Sequence, residues 1–119
     1  MQDMKAVVAM VALALGACTE ELDQRLCNQS AFALVDVHAA EFVGVNLAAG
    51  ECTDYRRATG RSYRYECVFA ALGTENLQWC PLDQHGESPL PGGRWTYEIT
   101  IMESFGQHDI RLAAVEDEH

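Results

Sequence analysis

The chain has 119 residues, room for one domain, and 49% of them are apolar, which excludes wholesale disorder. Lys and Arg number 8 against 18 Asp and Glu, a formal net charge of −10. That balance excludes nucleic acid as a partner, since phosphate binding needs clustered positive charge, and it leaves room for a basic protein partner.

Residues 1–5 are short and polar and contain the chain's sole lysine, Lys5. Residues 6–16 are uncharged Ala, Val, Met, Leu and Gly. A helix of that length spans about 16 Å, whereas a bilayer core is about 30 Å thick, so the run is too short to be a transmembrane helix. A short apolar run behind a basic residue reads as a signal peptide. The run ends Leu15-Gly16-Ala17-Cys18, an aliphatic residue, two small residues and a cysteine. These four positions resemble the lipobox of bacterial lipoproteins. The resemblance implies diacylglycerol on the Cys18 thiol, cleavage of residues 1–17, and acylation of the new N-terminus. Two or three acyl chains anchor stably where one does not. Thr19 stands where an Asp favours inner-membrane retention in enterobacterial lipoproteins, so the resemblance implies export to the outer membrane, facing the periplasm or the surface.

The expected organisation is a signal peptide at 1–17, a lipidated tether at 18–30, a β domain at 31–115 and an acidic tail at 116–119. Glu21 and Arg25 are spaced i,i+4, as are Leu22 and Leu26, which fits a helical turn in the tether. From Cys18 to Cys27 the chain reaches at most about 30 Å.

With Cys18 assigned to lipid, Cys27, Cys52, Cys67 and Cys80 remain, an even set that implies disulfides in an exported chain. Cys27 and Cys52 are symmetric about Ala39-Ala40, and Cys67 and Cys80 about Gly73-Thr74, both plausible hairpin centres. This favours Cys27–Cys52 with Cys67–Cys80. The alternative, Cys52–Cys67 with Cys27–Cys80, has a similar symmetry about Thr59-Gly60.

In chain order, residues 31–38 ("AFALVDVH") and 41–47 ("EFVGVNL") predict short strands rich in Val and Phe. Residues 61–71 ("RSYRYECVFAA") alternate, with Tyr63, Tyr65, Cys67 and Phe69 on one face. Residues 77–80 predict a return strand after "GTEN". Residues 81–93 hold all three prolines and predict a loop. Residues 94–102 ("RWTYEITIM") predict the strongest strand, with Trp95, Tyr97, Ile99 and Ile101 on one side. Residues 103–109 turn the chain, and 109–115 return antiparallel. The fold class expected is all-β, a small antiparallel sandwich or barrel stapled by disulfides. "LPGGRWTYEITI" resembles the entry to the closing hairpin of immunoglobulin-like modules, a likeness of fold that implies no function.

Few residues carry chemistry by spacing. Asp36 and His38 share a strand face and could orient a base or a metal, but neither a nucleophile nor a further ligand is near in sequence; they read as a solvated face. His108-Asp109 lies at a turn. Ser30, Ser62, Ser88 and Ser104 sit in neither a G-x-S-x-G nor an S-x-x-K context. Asn28-Gln29-Ser30 is a glycosylation sequon by form, read as coincidence. Arg56, Arg57, Arg61 and Arg64 interleave with Tyr55, Tyr63 and Tyr65, a positive segment that pairs with surplus acids or touches anionic headgroups or a carboxylate-bearing glycan. Trp79 and Trp95 sit in strands and read as core. No catalytic, cofactor or metal residues are assigned.

The expectation is a non-enzymatic, lipid-anchored envelope protein with a structural or protein-binding role. "SYRYECVF" (residues 62–69) resembles the tyrosine–cysteine strand of small lipoprotein inhibitors of lysozyme. That likeness implies an alternative, a periplasmic inhibitor of a basic hydrolase. A small-ligand or cation-binding module is a third expectation.

Overall fold

A computed structural model describes residues 21–82 and 87–117. The leader, the box and Cys18 therefore lie outside the described residues. Eight strands are present: β1 (Leu22–Asn28), β2 (Leu34–Ala39), β3 (Phe42–Leu47), β4 (Arg56–Arg57), β5 (Val68–Leu72), β6 (Glu75–Trp79), β7 (Gly93–Ser104) and β8 (Gln107–Glu116). They form two four-stranded sheets, ordered β4-β1-β7-β8 and β3-β2-β5-β6. No helix occurs among the described residues. The protein is all-β, as the strand periodicity predicts.

One core lies between the sheets. Leu26, Trp95, Tyr97, Ile99, Ile110 and Leu112 fill it from the first sheet. Leu34, Val37, Phe42, Leu47, Val68 and Leu77 fill it from the second. The β7 alternation behaves as its sequence implies: Trp95, Tyr97 and Ile99 are buried, and Ile101 packs partly buried against the same core. Three hairpins turn in two residues each, set by the pairs Ala39↔Phe42, Leu72↔Glu75 and Ser104↔Gln107.

The tether reading of residues 18–30 is corrected. Residues 22–28 are a strand, and that strand is central: β1 pairs with β4 on one side and β7 on the other. The physical ambiguity is plain in retrospect. Leu22 and Leu26, four apart, share a face at a strand period of 2 as well as at a helical period of 3.6. The β-sheet wins because Leu26 becomes fully buried, worth about 1.5–3 kcal/mol for such a side chain. The pairing with β7 is parallel, from Leu22↔Gly93 to Asn28↔Ile99, so this sheet is mixed rather than wholly antiparallel. The other boundary moves as well. Glu116, read as the first residue of an acidic tail, pairs with Trp95, and the Asp117 N–H donates to the Arg94 carbonyl at 3.0 Å.

The strand over residues 61–71 is also corrected: only Val68–Leu72 is strand. Residues 61–67 cross from the first sheet to the second, and their carbonyls accept bonds from elsewhere. Leu90 N–H donates to Ser62 O at 2.7 Å, and Ala114 N–H to Arg64 O at 2.8 Å. Ser62 is buried and Phe69 exposed. The stretch that resembles a tyrosine–cysteine strand is thus mostly a crossover.

The disulfides are Cys27–Cys52 and Cys67–Cys80. Cys67 and Cys80 continue the β5–β6 ladder one pair beyond Val68↔Trp79. Cys27 and Cys52 form an isolated antiparallel bridge where the β3 exit returns to β1.

Candidate binding surfaces

Two regions stand out on the surface: the outward face of the second sheet, and the tip of the β7–β8 hairpin. On the second sheet, Val35 and Asp36 both point outward, because a register shift in β2 against β5 lies between Val35 and His38. Asp36 has φ of +54°, a left-handed conformation that Asp tolerates better than most residues. The bulge brings Asp36 Oδ1 to 2.9 Å from His38 Nε2. Both side chains are solvent-accessible, so the pair reads as a local bond on a wet face. Two shallow depressions of about 290 and 410 Å³ adjoin here, sharing His38 and Phe69. Phe69, Val35 and Val43 are exposed apolar side chains on the same sheet.

His108 and Asp109 do not act together. They point to opposite faces of β8, and His108 turns toward the second sheet. Its Nδ1 lies 2.8 Å from Glu75 and its Nε2 lies 3.8 Å from Glu103. The Phe32 ring meets the imidazole edge-on at 5.1 Å. This contact clips β6, β8 and the β1–β2 connection together. Among the described residues no group of three His, Cys, Asp or Glu side chains has metal-site geometry.

The serines described in atomic contact serve the fold. Ser62 Oγ donates to Gln24 Oε1 at 3.2 Å in the core, and Ser30 Oγ donates to Asn28 Oδ1 at 2.6 Å. Asn28, the sequon residue, is fully buried. Its Nδ2 sits 2.7, 3.2 and 3.1 Å from the carbonyls of Phe32, Leu47 and Ala48. An amide so placed holds the ends of two connections to β1 and is out of reach of a glycan-transferring enzyme in the folded domain.

The arginines of the arginine–tyrosine segment stay exposed, and Arg56 and Arg57 are held there by local partners. Arg57 pairs with Glu21 at 3.0 Å and Asp23 at 2.7 Å. Arg56 lies over the Phe42 ring at 5.4 Å. Arg25 and Arg94, from β1 and β7, both stack on Tyr55, at 4.8 and 4.7 Å from its centroid. The Tyr55 hydroxyl donates to Asp117, which also accepts from Thr96 Oγ1 at 2.8 Å. Sequence spacing missed this stack because its members come from four separate segments. Glu41 accepts from the N–H groups of Thr59 and Gly60 and from Thr59 Oγ1, at 2.8–3.1 Å. Partial desolvation raises its carboxyl, but these bonds and the charge of Arg56 prevail and hold it below its ordinary value.

Tyr97 anchors the crossover. Its hydroxyl lies 2.6 Å from the Tyr63 carbonyl and 2.8 Å from Glu66 Oε2. Desolvation, then the Glu66 charge, push the phenol far above its usual range, so it remains a neutral donor. Trp95 is core, whereas Trp79 is part-buried beneath the Arg111 guanidinium at 5.3 Å. The two indoles belong to different sheets and make no joint platform.

The tip of the β7–β8 hairpin carries Phe105, fully exposed, and Met102, largely exposed. Nothing in the sequence period marks it, because the loop that turns the chain contains the residue. Compared with known proteins, the chain matches no family model, no curated protein and no solved structure.

Proposed function

We propose that this chain is a lipid-anchored protein of the bacterial cell envelope whose β domain has a non-catalytic binding role, at the outer membrane. The observation that carries this reading is the Leu15-Gly16-Ala17-Cys18 box together with the cysteine pairing. Cys27, Cys52, Cys67 and Cys80 are closed in two disulfides, which leaves Cys18 as the odd thiol of five. Disulfides suit an oxidising compartment outside the cytoplasm. Because β1 begins at Leu22, four residue steps separate it from Cys18, a reach of about 14 Å. An acylated Cys18 would thus hold the sandwich close against the bilayer, closer than a longer tether allows.

The binding role is supported by what the surface offers. Exposed apolar side chains stand on the outward face of the second sheet (Phe69, Val35, Val43) and at the β7–β8 tip (Phe105, Met102). The chain's acidic balance suits a basic protein partner by long-range attraction.

Mass spectrometry of the protein purified from membranes of its own cells tests the anchor. The expected N-terminal peptide begins at Cys18 and carries acyl chains. Cys18→Ser should move the protein out of the membrane fraction. A longer, unmodified N-terminus would refute the reading.

A further inference from the structure

The β7–β8 hairpin closes through Phe105 and Gly106, since Ser104 pairs with Gln107. Both loop residues have positive φ, 51° and 76°. That mirror-image turn matches the twist of antiparallel strands, and its first position is ordinarily Asn, Asp or Gly. A bulky side chain there meets its own backbone, an unfavourable placement. Burial inside the chain does not compensate, because Phe105 is fully exposed.

The surroundings give the tip a direction and a charge. β1 pairs with β7 only as far as Ile99, so the hairpin runs on to Ser104 without β1, a projection of about 17 Å. β1 enters the sheet opposite Gly93, which puts Leu22 and the tip at opposite ends of β7, about 36 Å apart along the strand. Glu103 and Asp109 sit on the projecting strands, and Glu75 stands beside them, bonded to His108. The nearest arginine along the hairpin, Arg111, is engaged over Trp79.

We propose that the β7–β8 tip is a docking knob, in which Phe105, with Met102 beside it, enters an apolar recess on a cationic protein. Its outward direction rests on the anchor reading above. A second copy of this chain is the wrong occupant, because it would bring the same carboxylates to the contact. An anionic bilayer is wrong for the same reason, and it lies at the other pole.

The test uses the full-length protein in the cells that make it, with Phe105 replaced by the photoreactive analogue p-benzoylphenylalanine. Irradiation should join position 105 to another protein, whereas the same probe replacing Val43 should not give that adduct. The joined protein should be basic, with the crosslink in an apolar recess. Converting both acids, Glu103→Lys and Asp109→Lys, should cut the adduct at least tenfold. Unlabelled Phe105→Asn protein should fail to compete for it, while unlabelled native protein competes. Because these side chains are exposed, the melting temperature of each variant serves as the check on folding. An absent adduct, a lipid adduct, a self-adduct, or one indifferent to charge reversal would overturn the knob. Cys18 acylation is read from the same sample: an unacylated Cys18 with the adduct retained would refute the anchor alone, and an acylated Cys18 without the adduct would refute the knob alone.

Discussion

The two ends of the sandwich are built by different rules. At the end where β1 enters, the surface polar groups are matched, although Gln24 Nε2 and Trp95 Nε1 lie buried there without a hydrogen-bond partner among the described residues. Arg57 holds Glu21 and Asp23, Tyr55 carries two guanidiniums, and Asp117 accepts from Tyr55 and Thr96. At the far end, a phenylalanine occupies a left-handed turn position with its ring in solvent. Both ends carry a non-glycine residue in a left-handed turn position, but Ala40 in the β2–β3 turn packs partly buried against the core, whereas the Phe105 ring packs against nothing inside the chain. Conflicts of that kind, unrelieved inside the chain, are expected where a residue answers to something outside it.

Substitutions should separate the bonded body of the sandwich from its tip by sign. The largest loss is expected from Asn28→Ala, which removes a fully buried amide and strands the carbonyls of Phe32, Leu47 and Ala48. It should cost about 2–4 kcal/mol and lower the melting temperature by roughly 10 °C or more. Tyr97→Phe should follow, at about 1–3 kcal/mol, because Glu66 and the Tyr63 carbonyl lose their shared donor. Chemical denaturation measures both; a neutral Asn28→Ala would contradict the role of that amide in holding the connections to β1, and a neutral Tyr97→Phe would contradict the tie between the first sheet and the crossover.

Phe105→Asn should move the other way. An amide side chain tolerates positive φ, so stability should rise by about 1 kcal/mol. A loss of stability would mean that Phe105 supports the fold after all. The smallest effect concerns pH. Glu41 has its carboxyl held below the ordinary 4.5 in the folded protein. Its contribution is therefore present above the ordinary 4.5 and lost as pH falls below it, through the lower folded value. Glu41→Gln should flatten that part of the acid-stability profile, measured as melting temperature against pH.

How far the sequence carried differs between elements for physical reasons. β7 was legible because Trp95, Tyr97, Ile99 and Ile101 alternate over an uninterrupted run. The Cys67–Cys80 pairing was legible because a two-residue turn at Gly73-Thr74 makes the two cross-strand neighbours, whereas Cys27–Cys52 joins β1 to the β3 exit as an isolated bridge and owes nothing to a hairpin at Ala39-Ala40. β1 was not legible, since Leu22 and Leu26 satisfy helix and strand periods alike and its pairing partner lies some seventy residues away. Residues 61–67 alternate by composition, yet Tyr97, Leu90 and Ala114 claim their carbonyls from three distant segments. The tip was hidden for another reason: "SFGQ" reads as a turn, and only the backbone geometry shows that the wrong kind of residue occupies it.

The proposed anchor and knob lie at opposite poles, since β1 enters opposite Gly93 and the tip follows Ser104. That placement is tested most directly by putting an environment-sensitive fluorophore at position 105, or at position 57 near the β1 entry, in acylated protein on vesicles containing headgroup-labelled quencher lipid. Strong quenching is expected at position 57 and little at position 105. Equal or stronger quenching at 105 would put the tip in the bilayer and contradict that placement.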